Sequence, residues 1–120
     1  MCGIIGILSK KEIQNLNERI YKMNSSILHR GPDAGGVYLN KNLALGHRRL
    51  SIIDTREISN QPMHSNNDVW HIVFNGEIYN HAALRKEMDE SGRGVTWRGH
   101  SDTETLLRGF EVWGVKETLT

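Results

Sequence analysis

The chain has 120 residues with 15 basic and 14 acidic side chains, a net charge of +1 at neutral pH, and a single cysteine. This length predicts one domain, the lone cysteine excludes an internal disulfide framework, and charges without a basic stripe argue against nucleic acid as a partner. No segment approaches the roughly 20 apolar residues of a membrane span and no secretory signal is recognisable, so we expect a cytoplasmic protein with no membrane partner.

The first strand is predicted at residues 3–8, where apolar side chains run continuously up to Ser9. Cys2 lies directly before this strand. If Met1 is removed, Cys2 carries both a thiol and a free α-amine, and the amine can accept the proton of the thiol. The residue is then a nucleophile with its own base. The alternative is that Cys2 is only a small buried apolar side chain.

A helix is predicted at residues 11–29, since apolar side chains recur there at spacings of three and four. The face they form consists of Ile13, Leu16, Ile20, Met23 and Ile27. A turn follows at residues 29–36. Its proline restricts φ and its aspartate can bond its own backbone. Gly35 and Gly36 allow either positive φ or the close approach of another backbone.

Two strands are predicted at residues 37–40 and 43–50. Arg48 and Arg49 are adjacent in the second of them, so their side chains face opposite sides of the sheet. An arginine that faces inward needs an anionic partner, and a carboxylate bound through two N–H groups suits its geometry. The alternative is that both arginines are exposed on an edge strand.

A polar loop at residues 55–67 precedes a predicted buried strand at 69–74, which ends in Asn75-Gly76. This dipeptide is the strongest short signal for a hairpin and predicts a type I′ turn with positive φ at both residues. The functional alternative is that the Asn75 side-chain amide and the Gly76 N–H point at one spot, where they would stabilise a developing oxyanion.

A second helix is predicted at residues 81–91 with Asn80 as its N-cap, followed by a short strand at 95–97. Its inward-facing residues are predicted to be Ala83, Leu84 and Met88.

Ser101 and Glu104 match the S-x-x-E capping box, which predicts a third helix that extends to about Trp113. Asp102 lies in its first turn. Its carboxylate is expected either to complement the helix dipole or to hold a cationic group of a ligand.

No metal or nucleotide site is predicted. The six histidines lack the paired spacing of metal ligands, and with one cysteine a structural zinc site is not expected. No glycine-rich phosphate loop is present in the sequence.

Taken together, these segments resemble the class II glutamine amidotransferase domain, whose nucleophile is an N-terminal cysteine, and among its families the glutamine-hydrolysing asparagine synthetases. The matching stretches, in order, are MCGIIGI, HRGPD, HRRLSIID, QPM, FNGEIYN and SDTE. The resemblance implies an α+β fold, the αββα sandwich of N-terminal-nucleophile hydrolases, incomplete at its C-terminal side. It also implies that residues 1–120 are the N-terminal part of that domain.

The resemblance implies a role for each matching residue. Cys2 would attack the side-chain amide of L-glutamine, with Asn75 and Gly76 as the oxyanion hole. Glu77 and Asp102 would lie near the α-ammonium group of the substrate. The α-carboxylate would be held by Arg49 together with Leu50, Ser51, Ile52 and Ile53.

In the family, the amidotransferase domain continues into further strands and is followed by an ATP-using synthetase domain. We therefore expect no cofactor in this chain, with ATP and Mg²⁺ belonging to the synthetase domain. Self-association, or the missing part supplied in trans, would cover the exposed edges of the sandwich.

Two alternatives stay open. One is an inactive fragment that acts only as an assembly or interaction module. The other is an N-terminal-nucleophile amidohydrolase with a different substrate.

Overall fold

The computed structural model describes residues 2–50 and 57–120, which contain both sheets and helices and confirm the predicted α+β class. The strands are β1 (Gly3–Leu8), β2 (Ala34–Asn40), β3 (Leu43–Arg49), β4 (Met63–His64) and β5 (His71–Ile72). The α-helices are α1 (Leu16–Ser26), α2 (His81–Glu90), α3 (Asp102–Val112) and α4 (Val115–Thr118), with 3₁₀ turns at Leu28–Arg30 and Glu57–Ser59. None of these helices is both long and apolar enough to span a bilayer.

In the part of the chain that the structure describes, the larger sheet has three antiparallel strands in the order β1-β3-β2, so β3 lies at its centre. Alternation along β3 gives the sheet two different faces. Ala44 packs against α1 on one face, whereas His47 and Arg49 line a cavity on the other. Arg48 points away from Arg49 and donates through Nε to the Gly31 carbonyl at 3.0 Å. The prediction that the two arginines face opposite sides is therefore confirmed.

Helix α1 packs on the larger sheet through Leu16 and Ile20, which are buried as predicted. It begins at Leu16 rather than at residue 11 because Asn15 has a left-handed backbone, with φ of 59°, which does not fit a right-handed helix. The predicted apolar face is wrong at Met23, which is 37% exposed, while Asn24 is buried. The helix thus starts later than predicted, and its buried face is rotated toward Asn24.

Two glycines allow backbones to approach one another closely beside β3. A Cβ on Gly31 would overlap the backbone of Arg48 and Arg49, so the turn packs directly under the end of this strand. A Cβ on Gly36 would overlap the carbonyl oxygen of Gln61. Gly36 lies within β2 rather than in a turn. Of the two roles predicted for this glycine, positive φ and the close approach of another backbone, the structure shows the second.

The smaller sheet pairs β4 with β5 and is only two residues long. The predicted buried strand at residues 69–74 is therefore wrong in its extent, and Val69 is 65% exposed. Within the described residues, β5 pairs only with β4, so its backbone ladder ends where β4 ends. The His71 ring stacks on Tyr38 of β2 with centroids 4.0 Å apart, and Trp70 packs against Phe110 of α3 at 5.7 Å. The smaller sheet thus lies between the larger sheet and α3.

Helix α2 has the predicted position but differs in detail. Asn80 precedes it without a side-chain capping bond, and Ala83 is exposed although Met88 is fully buried. The short strand predicted at residues 95–97 is wrong, since this segment is irregular. Trp97 of this segment packs against Arg85, whose guanidinium lies 4.1 Å from the centroid of the Trp97 ring.

Helix α3 begins with a polar first turn that is buried. The Ser101 hydroxyl accepts a hydrogen bond from the Glu104 N–H at 3.2 Å, as the capping box predicts. Within the described residues, the Glu104 carboxylate does not accept the hydrogen bond from the Ser101 N–H that completes a capping box. It accepts instead from the N–H groups of Arg98 at 2.6 Å and Gly99 at 2.8 Å. It also lies 3.5 Å from a guanidinium nitrogen of Arg85 and 3.6 Å from one of Arg108. These contacts define where α3 starts.

Candidate active site

A cavity of about 380 Å³ opens between the larger sheet, the segment after β5 and the start of α3. Every predicted site residue that the structure describes lines it, and these are Cys2, Arg49, Leu50, Asn75, Gly76, Glu77 and Asp102. Ser51, Ile52 and Ile53 lie outside the described residues. The cavity is further lined by His47, Ser59, Gln61, Phe74, Tyr79, Ser101 and Thr103.

Cys2 lies at the edge of this cavity, directly before β1. Its Sγ accepts a hydrogen bond from the Leu50 N–H at 3.3 Å, and the thiol can donate to the Leu50 carbonyl at 3.5 Å. The side chain is partly exposed and forms no disulfide. A free thiol held by backbone groups at a cavity wall is accessible to a ligand inside that cavity.

Arg49 brings a positive charge to the same wall. Its side chain is only 7% exposed, and Nη1 donates to the Asn60 Oδ1 at 2.7 Å. The position follows from β3, because Arg49 is the last residue of the central strand and its side chain points to the face opposite α1. Backbone contacts with the preceding turn support this end of the strand, since the Asp33 N–H donates to the Arg49 carbonyl at 3.0 Å.

Asn75 and Gly76 do not form the hairpin that their sequence predicts. Neither residue has positive φ, and the chain continues through an open bend into α2. The Phe74 ring packs against Gly76, where a Cβ would lie 2.8 Å from the ring. Both residues are exposed and line the cavity.

Asp102 is both a helix residue and a cavity residue. It is 5% exposed, its Oδ1 accepts from the Thr103 N–H and its Oδ2 accepts from the Ile78 N–H, both at 2.8 Å. A carboxylate has about four acceptor positions, so these bonds leave capacity for a ligand. With Glu77 exposed nearby, the described lining combines two acids with the Arg49 cation and a thiol.

His47 is the main residue that reasoning from the sequence missed. It is 1% exposed, and neither ring nitrogen has a well-formed hydrogen bond within the described residues. Its position could have been inferred, because it lies two residues before Arg49 and therefore on the same face of β3. Within residues 2–50 and 57–120, no group of histidine, cysteine or acidic side chains has the geometry of a metal site.

Burial lowers the pKa of His47 from 6.5 to about 4; the Phe74 backbone opposes this fall, and Arg49 and Arg48 add to it. The folded protein therefore keeps His47 neutral at a pH where the unfolded chain binds a proton. Stability from this group is complete above pH 6.5 and is lost as the pH falls toward 4. We expect the difference in protonation of His47 between the folded and unfolded states to lower the unfolding free energy by about 3 kcal/mol as the pH falls from 6.5 to 4.

Urea unfolding at a series of pH values would measure this decrease. In His47→Gln the pH dependence should become shallower, whereas His29→Gln, at an exposed position, should leave the slope as it is. Equal slopes in the wild type and His47→Gln would contradict the assignment.

The profile of the glutamine amidotransferase domain family matches residues 1–120, and the chain belongs to this family.

The chain is similar to curated glutamine-hydrolysing asparagine synthetases. The chain is 42% identical to asparagine synthetase 1 of Bacillus subtilis over 113 residues, which cover 92% of this chain and 17% of the relative. It is 38% identical to a probable asparagine synthetase of Dictyostelium discoideum, with 95% of this chain and 20% of the relative covered. It is 35% identical to asparagine synthetase B of Escherichia coli, with the same two shares. The chain thus spans about a fifth of the length of these relatives.

Proposed function

We propose that this chain hydrolyses L-glutamine to L-glutamate and ammonia, with Cys2 as the nucleophile. The observation that carries the proposal is that Cys2, Arg49, Asn75, Gly76 and Asp102 line one cavity of about 380 Å³. Such a volume suits a small ligand, since small-molecule sites span about 300–1,000 Å³. L-glutamine carries one anion, one cation and one amide, and the cavity offers a cation, two acids and a thiol to match them.

The first chemical step is attack by the Cys2 sulfur on the side-chain amide carbon of glutamine. The thiol proton passes to the α-amine of Cys2, which is free once Met1 is removed, and the carbonyl electron pair becomes an oxyanion. The Asn75 side-chain amide and the Gly76 N–H donate to this oxyanion. The ammonium group then protonates the leaving nitrogen, the C–N bond breaks, and ammonia leaves a γ-glutamyl thioester.

The second step is hydrolysis of that thioester. Water attacks the same carbon and gives a proton to the α-amine. The C–S bond breaks, the sulfur recovers the proton, and L-glutamate is released. The same oxyanion hole serves both steps, because the same carbonyl oxygen acquires charge in each.

Substrate orientation is assigned to the charged residues. Arg49 binds the α-carboxylate with the backbone of Leu50, and Glu77 and Asp102 bind the α-ammonium group. The proposal extends to Ser51, Ile52 and Ile53 as backbone partners of the carboxylate, although these lie outside the described residues.

We further propose that the fold is the αββα sandwich of N-terminal-nucleophile hydrolases. The order of α1, the larger sheet, the smaller sheet and α3 supports this assignment. In the complete protein, the chain would be the ammonia-supplying half of an asparagine synthetase-like amidotransferase, in which ATP and Mg²⁺ belong to the synthetase part.

The direct test incubates the purified chain with L-glutamine and measures glutamate and ammonia. We expect both products in equal amounts, and an intact mass that lacks Met1. A glutamine-analogue electrophile such as 6-diazo-5-oxo-L-norleucine should form one adduct, located at Cys2 by peptide mapping. Chains without Met1 that give neither turnover nor adduct would refute the proposal.

A second candidate function is an interaction module without activity. It is favoured by Ile4 and Leu8, which are 48% and 80% exposed, on β1, an edge strand of the larger sheet within the described residues. An edge strand with apolar side chains can pair with another chain. A monomer in light scattering that hydrolyses glutamine would rule this candidate out.

A further inference from the structure

The segment from Phe74 to Ile78 carries the residues assigned to the oxyanion hole, yet it belongs to no helix or strand. An irregular segment holds a precise geometry only if its backbone groups are bonded to something rigid. Asn75, Gly76 and Glu77 themselves are exposed. Among the residues that the structure describes, the side-chain hydrogen bonds that hold this segment are made at its two ends, Phe74 and Ile78.

A buried glutamine holds the first end. Gln61 is 9% exposed, and its Oε1 accepts a hydrogen bond from the Phe74 N–H at 2.5 Å. Its Nε2 donates to the Thr103 Oγ1 at 3.2 Å. The Gln61 backbone also packs directly against Gly36 of β2. Gln61 thus connects the segment to helix α3 through its side chain and contacts the larger sheet through its backbone.

The second end is held from the same helical turn. The Ile78 N–H donates to the Asp102 Oδ2 at 2.8 Å. Asp102 and Thr103 are consecutive and almost fully buried, at 5% and 4% exposure. Both ends of the segment are therefore bonded, directly or through Gln61, to the first turn of α3.

We propose that Gln61 is a positioning residue, which holds the Asn75 and Gly76 donors at the oxyanion through its bond to the Phe74 N–H. This inference rests on the proposed function. A carboxamide suits the task because it offers an acceptor to the Phe74 N–H and a donor to the Thr103 hydroxyl in one planar group. Methionine has a similar length but supplies neither bond.

Gln61→Met is expected to lower kcat for L-glutamine by about 10²-fold, because displacement of an oxyanion donor has an effect of this size. KM, and the Ki of the product L-glutamate, should change by less than about threefold, because binding of the charged ends does not use the oxyanion hole. kcat is divided by the fraction of chains that react with 6-diazo-5-oxo-L-norleucine, which corrects for misfolded protein.

The control for a glutamine-to-methionine change is Gln14→Met, at an exposed position, which should match the wild type. If Gln61→Met does not fold, Thr103→Val serves instead. It removes the Oγ1 that Gln61 bonds and keeps the shape, and it should lower kcat about tenfold with Ki unchanged.

The outcomes separate the two proposals. An active wild type with normal kcat per titrated site in Gln61→Met or Thr103→Val would overturn the role of Gln61 alone. A rise in the Ki of L-glutamate as large as the fall in kcat would also overturn it, because the whole cavity would then have changed. A wild type without turnover or adduct would overturn both the proposed function and this inference.

Discussion

Cys2→Ala is expected to reduce the release of glutamate from L-glutamine by at least roughly 10⁴-fold, because removal of a catalytic nucleophile has an effect of this size. Within residues 2–50 and 57–120 the thiol bonds only to the Leu50 backbone, so its loss should change the unfolding free energy by about 1 kcal/mol or less. The measurement is a glutaminase assay at saturating substrate, combined with urea unfolding of the same samples.

Cys2→Ser is the matched variant. Its hydroxyl is similar in size and can still bond to Leu50, but it is a weaker nucleophile than a thiol, so the variant should bind L-glutamine and turn it over poorly. Retained activity in Cys2→Ala would place the nucleophile elsewhere. In wild-type preparations, turnover should scale with the fraction of chains that have lost Met1, because the base exists only in that fraction.

Arg49→Met is expected to raise KM for L-glutamine by about 10- to 100-fold, the range of one charge-assisted bond to a carboxylate. kcat should change less, because the α-carboxylate lies away from the bond that breaks. Steady-state kinetics measure both constants. 4-Aminobutanamide, which is glutamine without its α-carboxylate, provides the matched substrate. The wild type should prefer glutamine strongly over this amide, and Arg49→Met should lose most of that preference.

Arg48→Met is the control for the loss of a charge at this end of β3. Arg48 faces away from the cavity and donates to the Gly31 carbonyl. The KM of Arg48→Met for L-glutamine should therefore match that of the wild type. An unchanged KM in Arg49→Met would favour a different substrate, as in other N-terminal-nucleophile amidohydrolases.

The parts of the site that could be predicted from the sequence are those with a local pattern. Alternation in β3 predicts that one of Arg48 and Arg49 faces inward, and the same alternation would have identified His47. Gln61 is different. Its role depends on contacts with Phe74 and Thr103, which are 13 and 42 residues away in the chain. No spacing rule connects such positions, so only the folded structure reveals them.

The errors in the fold predicted from the sequence have a similar origin. The apolar run at residues 69–74 predicts a buried strand, but within the described residues only two of its positions have partners in β4. Asn75-Gly76 has the local chemistry of a hairpin, yet the bonds from Gln61 and Asp102 hold the flanking residues in an open bend. In both places a tertiary contact decides the structure that local propensity leaves open.

The buried Glu104, which lies between Arg85 and Arg108, limits how this part of the protein can evolve. Loss of the carboxylate alone would leave two guanidinium groups without their shared counter-charge, and loss of either arginine would leave the acid with one cation fewer. Removing one partner of a buried ion pair typically lowers stability by about 3–5 kcal/mol, whereas replacing the whole group can be neutral. We therefore expect substitutions at the three positions to be non-additive in their effect on stability. A lineage that exchanges this cluster for apolar side chains has to pass through an unstable intermediate or change several codons together.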